Sequence, residues 1–80
     1  MKTREAVAKR ITELCQEKNL TVNGLANISA VPPSTLKNIL YGVSKNPGVV
    51  TLKMLCDGLE ITLDDFFDSD LFKNLEQEIE

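Results

Sequence analysis

Two adjacent prolines, Pro32 and Pro33, divide the most regularly patterned part of the chain into two short segments. Proline has no backbone N–H, clashes with the preceding helical turn and disfavours helical angles in the residue before it. A helix that reaches Ala30 and Val31 must therefore stop there, whereas Pro33 suits the first position of a new helix. The sequence thus predicts two short helices joined by a tight turn.

Apolar side chains recur at spacings of three and four residues through most of the chain, which is the period of a helix with one buried face. No segment alternates with a period of two over more than a few residues, so no strand is predicted. The fold class is therefore all-α, with a short C-terminal helix and five helices that start near Thr3, Thr21, Pro33, Val50-Thr51 and Thr62. We expect one domain over residues 1–68 and a helical extension over residues 69–80.

Apolar and polar residues separate onto opposite faces of the two helices around the prolines. The residues predicted to face inward are Leu25, Ala26, Val31, Leu36 and Ile39, with Val31 filling the turn. A polar outer face on the second helix is typical of a helix-turn-helix, in which that helix lies in the major groove of DNA. The residues on this outer face are Pro33, Ser34, Lys37, Asn38 and Tyr41.

Charge is distributed unevenly along the chain, which has a formal net charge of −3. Residues 1–56 carry eight basic and three acidic side chains, whereas residues 57–80 carry nine acidic side chains and one lysine. A surface that binds an anion such as DNA is therefore expected in the first part of the chain. Two interpretations of the acidic part stay open: it keeps a small protein soluble, or it also repels DNA from the back of the molecule.

The composition argues against several classes of site. The chain has no histidine and two cysteines, Cys15 and Cys56, so a zinc site of the usual Cys/His kind is excluded and both cysteines are interpreted as reduced core residues. Asp64 and Asp65 lie at a predicted helix start without a basic partner, which favours capping over catalysis. We therefore predict no enzyme activity, no metal and no cofactor. The chain shows no apolar membrane span and no signal peptide, which predicts a cytoplasmic protein without membrane contact.

These elements, taken in order, resemble the Cro/C1-type helix-turn-helix domains of phage repressors and xenobiotic-response-element regulators. The resemblance covers residues 7–67 and implies a compact five-helix, repressor-like domain. Such domains bind double-stranded DNA, often as homodimers, and often act as repressors. The matching residues are Ile11, Leu14, Leu20-Thr21, Leu25-Ala26, Val31, Ser34-Thr35-Leu36-Lys37-Asn38-Ile39, Gly42, Asn46-Pro47, Thr51-Leu52, Leu55, Leu59 and Leu63-Asp64-Asp65-Phe66-Phe67.

Carried over position by position, the resemblance implies two sets of DNA contacts. Base-edge contacts would be made by Pro33, Ser34, Lys37 and Asn38. The residue chemistry agrees in part, because asparagine can pair with adenine and lysine can donate to guanine. Phosphate contacts would be made by Thr21, Asn23, Thr35, Tyr41, Ser44, Lys45 and Asn46.

The chain departs from the family pattern at a few positions. Val22 stands where many members have a phosphate-binding glutamine, and Ala30 stands where a glycine commonly occupies the turn. Cys15 and Leu40 replace an internal ion pair, which leaves no charge stranded. Tyr41 has a second interpretation, in which its ring packs on the fourth helix and presents only its hydroxyl.

Two other functions stay open at this point: an antitoxin-like regulator with a protein partner at its C-terminal helix, and a protein-only interaction module of the same fold. An apolar stripe predicted on the C-terminal helix also has two interpretations. It forms the interface of a homodimer, or Phe72 folds back onto the domain while the residues from Leu75 onward fray. The stripe comprises Phe66, Leu71, Phe72, Leu75 and Ile79.

Overall fold

Five α-helices without any β-strand make up most of the computed structural model, which describes residues 1–80. They are α1 (Thr3–Glu17), α2 (Val22–Ser29), α3 (Pro33–Leu40), α4 (Val49–Leu59) and α5 (Leu63–Phe67), followed by a 3₁₀ helix (Asp70–Phe72). α1 packs against α3 and the 3₁₀ helix, α2 against α3 and α4, and α4 against α5. The predicted all-α class with five helices is confirmed. None of the helices is both long enough and apolar enough to span a bilayer.

The core lies between the five helices and is formed by the apolar faces that the periodicity predicted. Fourteen buried residues make one continuous cluster. Phe66 of α5 is the largest fully buried side chain, and its ring lies 5.0 Å from the ring of Phe67 and 6.1 Å from that of Phe72. All five residues predicted to face inward around the prolines belong to the cluster, so that prediction is confirmed.

Three helices end in the same turn, in which one residue has left-handed backbone angles and the next is apolar. The left-handed residues are Asn19, Ala30 and Glu60, with φ of 54°, 56° and 60°. In each turn the next N–H donates to the carbonyl five residues back: Leu20 to Cys15 at 2.9 Å, Val31 to Ala26 at 3.0 Å and Ile61 to Cys56 at 3.0 Å. This Schellman arrangement satisfies carbonyls at the helix end and turns the apolar residue onto the core.

A threonine cap directly follows two of these turns and starts the next helix. The Thr21 hydroxyl accepts a hydrogen bond from the N–H of Gly24 at 2.9 Å. The Thr62 hydroxyl accepts one from the N–H of Asp65 at 3.0 Å, and the Asp65 carboxylate accepts from the N–H of Thr62 at 3.2 Å. This reciprocal capping box confirms the predicted capping role of Asp65.

α4 starts earlier than predicted and approaches α2 closely. It begins at Val49 and has no side-chain cap, whereas the sequence predicted a cap near Val50-Thr51. Its approach to α2 depends on Gly58, because a Cβ atom at that position would lie 2.1 Å from the hydroxyl oxygen of Ser29. The Ser29 hydroxyl is buried there and makes no hydrogen bond within the chain. A larger residue at position 58 would therefore require Ser29 to move.

The predicted helix over residues 69–80 does not form. Only Asp70–Phe72 is helical, and residues 73–80 form neither a helix nor a strand. Phe72 packs on Phe67, with ring centroids 4.9 Å apart, and Ile79 is 79% exposed. The apolar stripe on a C-terminal helix is therefore a wrong prediction, whereas the folding back of Phe72 onto the domain is confirmed.

Charge disfavours a helix in the C-terminal segment. Residues 76–80 contain three glutamates, which would lie at the negative end of the helix dipole. In the observed conformation Glu76 and Glu78 contact the first three residues of the chain, where an α-amino group, a lysine and backbone N–H groups are found. The segment therefore runs across the start of α1 instead of fraying.

Replacement of Ala30 by glycine tests the left-handed turn. Left-handed angles cost an alanine about 1–2 kcal/mol, whereas glycine adopts them without strain. Because glycine also makes the unfolded chain more flexible, we expect Ala30→Gly to raise the free energy of unfolding by about 0.5–1 kcal/mol. The shift in the midpoint of urea unfolding, followed by circular dichroism, measures this change.

Ala8→Gly is the matched control, because Ala8 lies inside α1 with helical angles. Glycine at that position is expected to lower the free energy of unfolding by about 1 kcal/mol. Destabilisation of similar size by both substitutions would contradict the left-handed conformation of Ala30.

Candidate nucleic-acid interface

The turn between α2 and α3 is held by the buried side chain of Val31, which is 3% exposed. Only residues 30–32 separate the two helices. The carbonyl of Pro32 accepts a hydrogen bond from the N–H of Thr35 at 3.0 Å, and Pro33 occupies the first helical position as predicted. The short connection and the buried Val31 side chain fix the position and orientation of α3 relative to the other helices.

α3 has one buried face and one exposed face. Leu36 and Ile39, 0% and 2% exposed, attach the helix to the core. The four residues predicted to contact base edges all lie on the exposed side: Pro33, Ser34, Lys37 and Asn38. Their side chains therefore form one solvent-facing surface that combines an amide, an ammonium group and a hydroxyl.

The seven residues predicted to contact phosphates lie at the start of α2, in α3 and in the α3–α4 loop. The Thr21 hydroxyl oxygen accepts the hydrogen bond that caps α2, and its O–H proton remains available to donate. The backbone N–H of Ser44 donates to the Asn38 carbonyl at 2.9 Å, and the Ser44 hydroxyl remains available for a phosphate. Thr35 and Ser44 are half-buried, and the exposed members are Thr21, Asn23, Tyr41, Lys45 and Asn46.

Tyr41 lies at the end of α3 and points to solvent, because its side chain is 75% exposed. With Arg4, Lys9 and Gly42 it lines a cavity of about 310 Å³ between α1 and α3. A ring this exposed is not packed on α4, contrary to the second interpretation of Tyr41. The phenolic O–H is therefore free to act as a donor.

Further basic side chains at the start of α1 lie near Tyr41 and the α3–α4 loop. Lys2 and Arg4 line a second cavity, of about 480 Å³, together with Lys45 and Asn46 of the α3–α4 loop. Arg4 also borders the cavity beside Tyr41. The charge distribution pointed to this half of the chain, but no spacing rule connects α1 with the α3–α4 loop, so the sequence motif did not include Lys2 and Arg4.

Arg10, in contrast, has a structural role. Its Nε donates to the Phe66 carbonyl and its Nη2 to the Asp65 carbonyl, both at 2.7 Å. These carbonyls lie at the end of α5, where a helix leaves backbone acceptors without internal partners. The guanidinium group therefore joins α1 to α5, which is an interaction that the sequence pattern did not reveal.

The remaining reactive groups are enclosed in the core. Cys15 and Cys56 are buried, and burial raises the pKa of both thiols, so that they stay protonated and unreactive near neutral pH. Their predicted role as core residues is confirmed. The aliphatic side chains of Leu40 and Val22 are partly buried and pack against the core. No three His, Cys, Asp or Glu side chains come together as a metal ion would require.

Two solved structures share this arrangement of helices. The chain is similar to the prophage Lp1 protein 11, with 34% identity and a TM-score of 0.81 over 94% of this chain and 100% of that one. It is also similar to an HTH_3 family transcriptional regulator from Vibrio cholerae, with 26% identity and a TM-score of 0.77. That alignment covers 85% of this chain and 38% of the regulator.

Comparison with protein families gives a match over most of the chain. Residues 10–70 match the Cro/C1-type HTH DNA-binding domain. No curated protein matches the chain. Since the family match includes α2, the turn, α3 and the helices that support them, the chain belongs to the Cro/C1-type helix-turn-helix family of DNA-binding domains.

Proposed function

We propose that the protein is a sequence-specific transcriptional regulator that acts as a repressor and reads the major groove of DNA with α3. The observation that carries this proposal is the exposed polar face of α3, which is supported from behind by the buried Leu36 and Ile39. A helix fits the major groove, where each base pair presents a distinct pattern of donors and acceptors. The repressor role and a cytoplasmic location are carried over from the family resemblance and the sequence.

Asn38 and Lys37 carry most of the proposed base recognition. An asparagine amide can donate to and accept from adenine at the same time, and a lysine can donate to the O6 and N7 atoms of guanine. Ser34 can donate or accept with little preference, and Pro33 offers an apolar contact to a thymine methyl group. Preference for sequence is therefore expected to depend mainly on the middle of α3.

The proposed phosphate contacts come from residues before, within and after α3 in the sequence. Such contacts fix the position of a protein on the duplex and supply affinity, but they carry no sequence information themselves. Their contribution weakens with salt, because each neutralised phosphate releases counterions. They are assigned to Thr21, Asn23, Thr35, Tyr41, Ser44, Lys45 and Asn46.

Asn38→Ala tests the base-reading role of α3. We expect this variant to lose about 1–3 kcal/mol of binding free energy on the best duplex and to relax preference at one base pair. The duplex is selected from a random pool with the parent protein, and affinities are measured by fluorescence anisotropy at fixed salt. Asn74→Ala, an exposed asparagine of the C-terminal segment, is the control and is expected to bind like the parent. An Asn38→Ala variant with parental affinity and preference would show that Asn38 does not read a base.

Lys45→Ala tests a phosphate contact. We expect it to weaken binding to selected and random duplexes alike and to flatten the slope of log affinity against log salt by about one. Lys73→Ala makes the same change in net charge but removes a lysine that pairs with Asp70 at 2.8 Å, so its slope is expected to stay parental. A loss confined to the selected duplex would contradict the assignment of Lys45 to a phosphate.

The proposal includes a homodimer on a two-fold operator, with two α3 helices about 34 Å apart. Because the apolar stripe on a C-terminal helix does not form, we expect association to be independent of Ile79. Sedimentation equilibrium of the parent and of Ile79→Lys is expected to give dimers in both cases. A parent that stays monomeric well above the concentrations needed for DNA binding contradicts the dimer. Dissociation of the variant alone would instead place the interface in the C-terminal segment.

A further inference from the structure

The acidic C-terminal tail, residues 76–80, is attached to the first residues of the chain. The Glu78 carboxylate accepts hydrogen bonds from the backbone N–H of Thr3 at 3.2 Å and from its hydroxyl at 2.8 Å. The Glu76 N–H donates to the Met1 carbonyl at 3.0 Å, and the Glu76 carboxylate lies 3.0 Å from the N-terminal amine and 3.9 Å from Nζ of Lys2. These contacts hold the tail across the start of α1.

Glu78 lies where the start of α1 meets the α3–α4 loop. The cavity of about 480 Å³ at this place is bordered by Glu78, by Lys2 and Arg4 of the N-terminal region, and by Lys45 and Asn46 of the loop. The same loop supplies proposed phosphate contacts. A carboxylate of the protein thus occupies the cationic region that lies beside the proposed DNA-binding surface.

The environment of Glu78 suits a charged oxyanion. The Thr3 hydrogen bonds, together with the charges of Lys2 and Arg4, hold the pKa of Glu78 below its ordinary value. The carboxylate is therefore ionised at neutral pH. Hydroxyl and backbone N–H donors beside basic side chains are also the groups that bind phosphate oxygens in protein–DNA complexes.

We propose that Glu78 occupies a position that a backbone phosphate takes in the DNA complex, so that the tail restrains DNA binding by competing for Lys2 and Arg4. The inference rests on the proposed function, and it adds Lys2 and Arg4 to the phosphate-contacting surface. DNA must displace the Glu78 carboxylate before its phosphate can approach these cations. Because phosphates are the same in every sequence, the restraint acts on all duplexes alike.

Glu78→Gln and Glu80→Gln separate this competition from a general effect of charge. Both variants remove one negative charge from the same exposed tail, but only Glu78 is bonded to Thr3. At low salt we expect Glu78→Gln to bind a random duplex about two- to fivefold more tightly than the parent, as the strength of an interaction between exposed charges implies. Glu80→Gln is expected to give a clearly smaller gain, and the difference is expected to shrink as salt screens the charges.

Equal affinities of Glu78→Gln and Glu80→Gln would overturn the competition, even if both exceed the parental affinity. If the parent and both variants fail to bind any duplex at low salt while circular dichroism shows the parental fold, the proposed function fails and this inference fails with it. Parental binding together with equal variants, in contrast, leaves the proposed function intact and removes only the role of Glu78.

Nuclear magnetic resonance of the full chain gives a second readout that does not depend on affinity. The backbone heteronuclear Overhauser effects of residues 76–80 are expected to fall when a saturating duplex is added, because the displaced tail becomes mobile on the picosecond to nanosecond timescale. A tail that keeps its parental values in the DNA complex, with the Thr3 amide signal unmoved, would overturn the proposal.

Discussion

Burial of Val31 behind the left-handed turn at Ala30 fixes the position of α3, and the rest of the candidate site depends on that position. The hydrogen bond from the Val31 N–H to the Ala26 carbonyl ends α2, and the buried side chain then directs the chain into α3. With Leu36 and Ile39 packed on the core, one face of α3 has to remain in solvent. A change in the turn would rotate or shift this face as a unit.

The domain uses the same turn after α1 and α4, and no glycine takes part in any of the three. Left-handed angles cost a residue other than glycine about 1–2 kcal/mol, whereas full burial of a leucine, isoleucine or valine contributes about 1.5–3 kcal/mol. Leu20, Val31 and Ile61, the residues after the turns, all pack in or against the core. Val31 is almost fully buried, so its burial offsets the local strain at Ala30, whereas Leu20 and Ile61 are only partly buried.

Tertiary contacts, and not the order of residues in the sequence, decide which charged side chains lie next to each other on the surface. The sequence separates a basic part from an acidic part and left open whether the acidic part repels DNA from the back of the molecule. The structure places Glu76 and Glu78 against residues 1–3, close to basic side chains and the α3–α4 loop. Part of the acidic segment therefore lies beside Lys2 and Arg4, and the net charge of −3 says little about how that region meets an anion.

The sequence by itself determined the five helices, the turn at residues 30–33 and the buried face of α3, because apolar periodicity, proline geometry and threonine caps act over a few neighbouring residues. It also indicated which polar residues of α3 would remain outside. Only the tertiary structure decided that Arg10 bonds the end of α5, that Arg4 lies beside both Tyr41 and the α3–α4 loop, and that the last residues cross α1 instead of forming a helix. These features depend on contacts between residues that are far apart in the chain, and such contacts produce no periodic pattern in the sequence. A short segment by itself has only a weak preference for a helix.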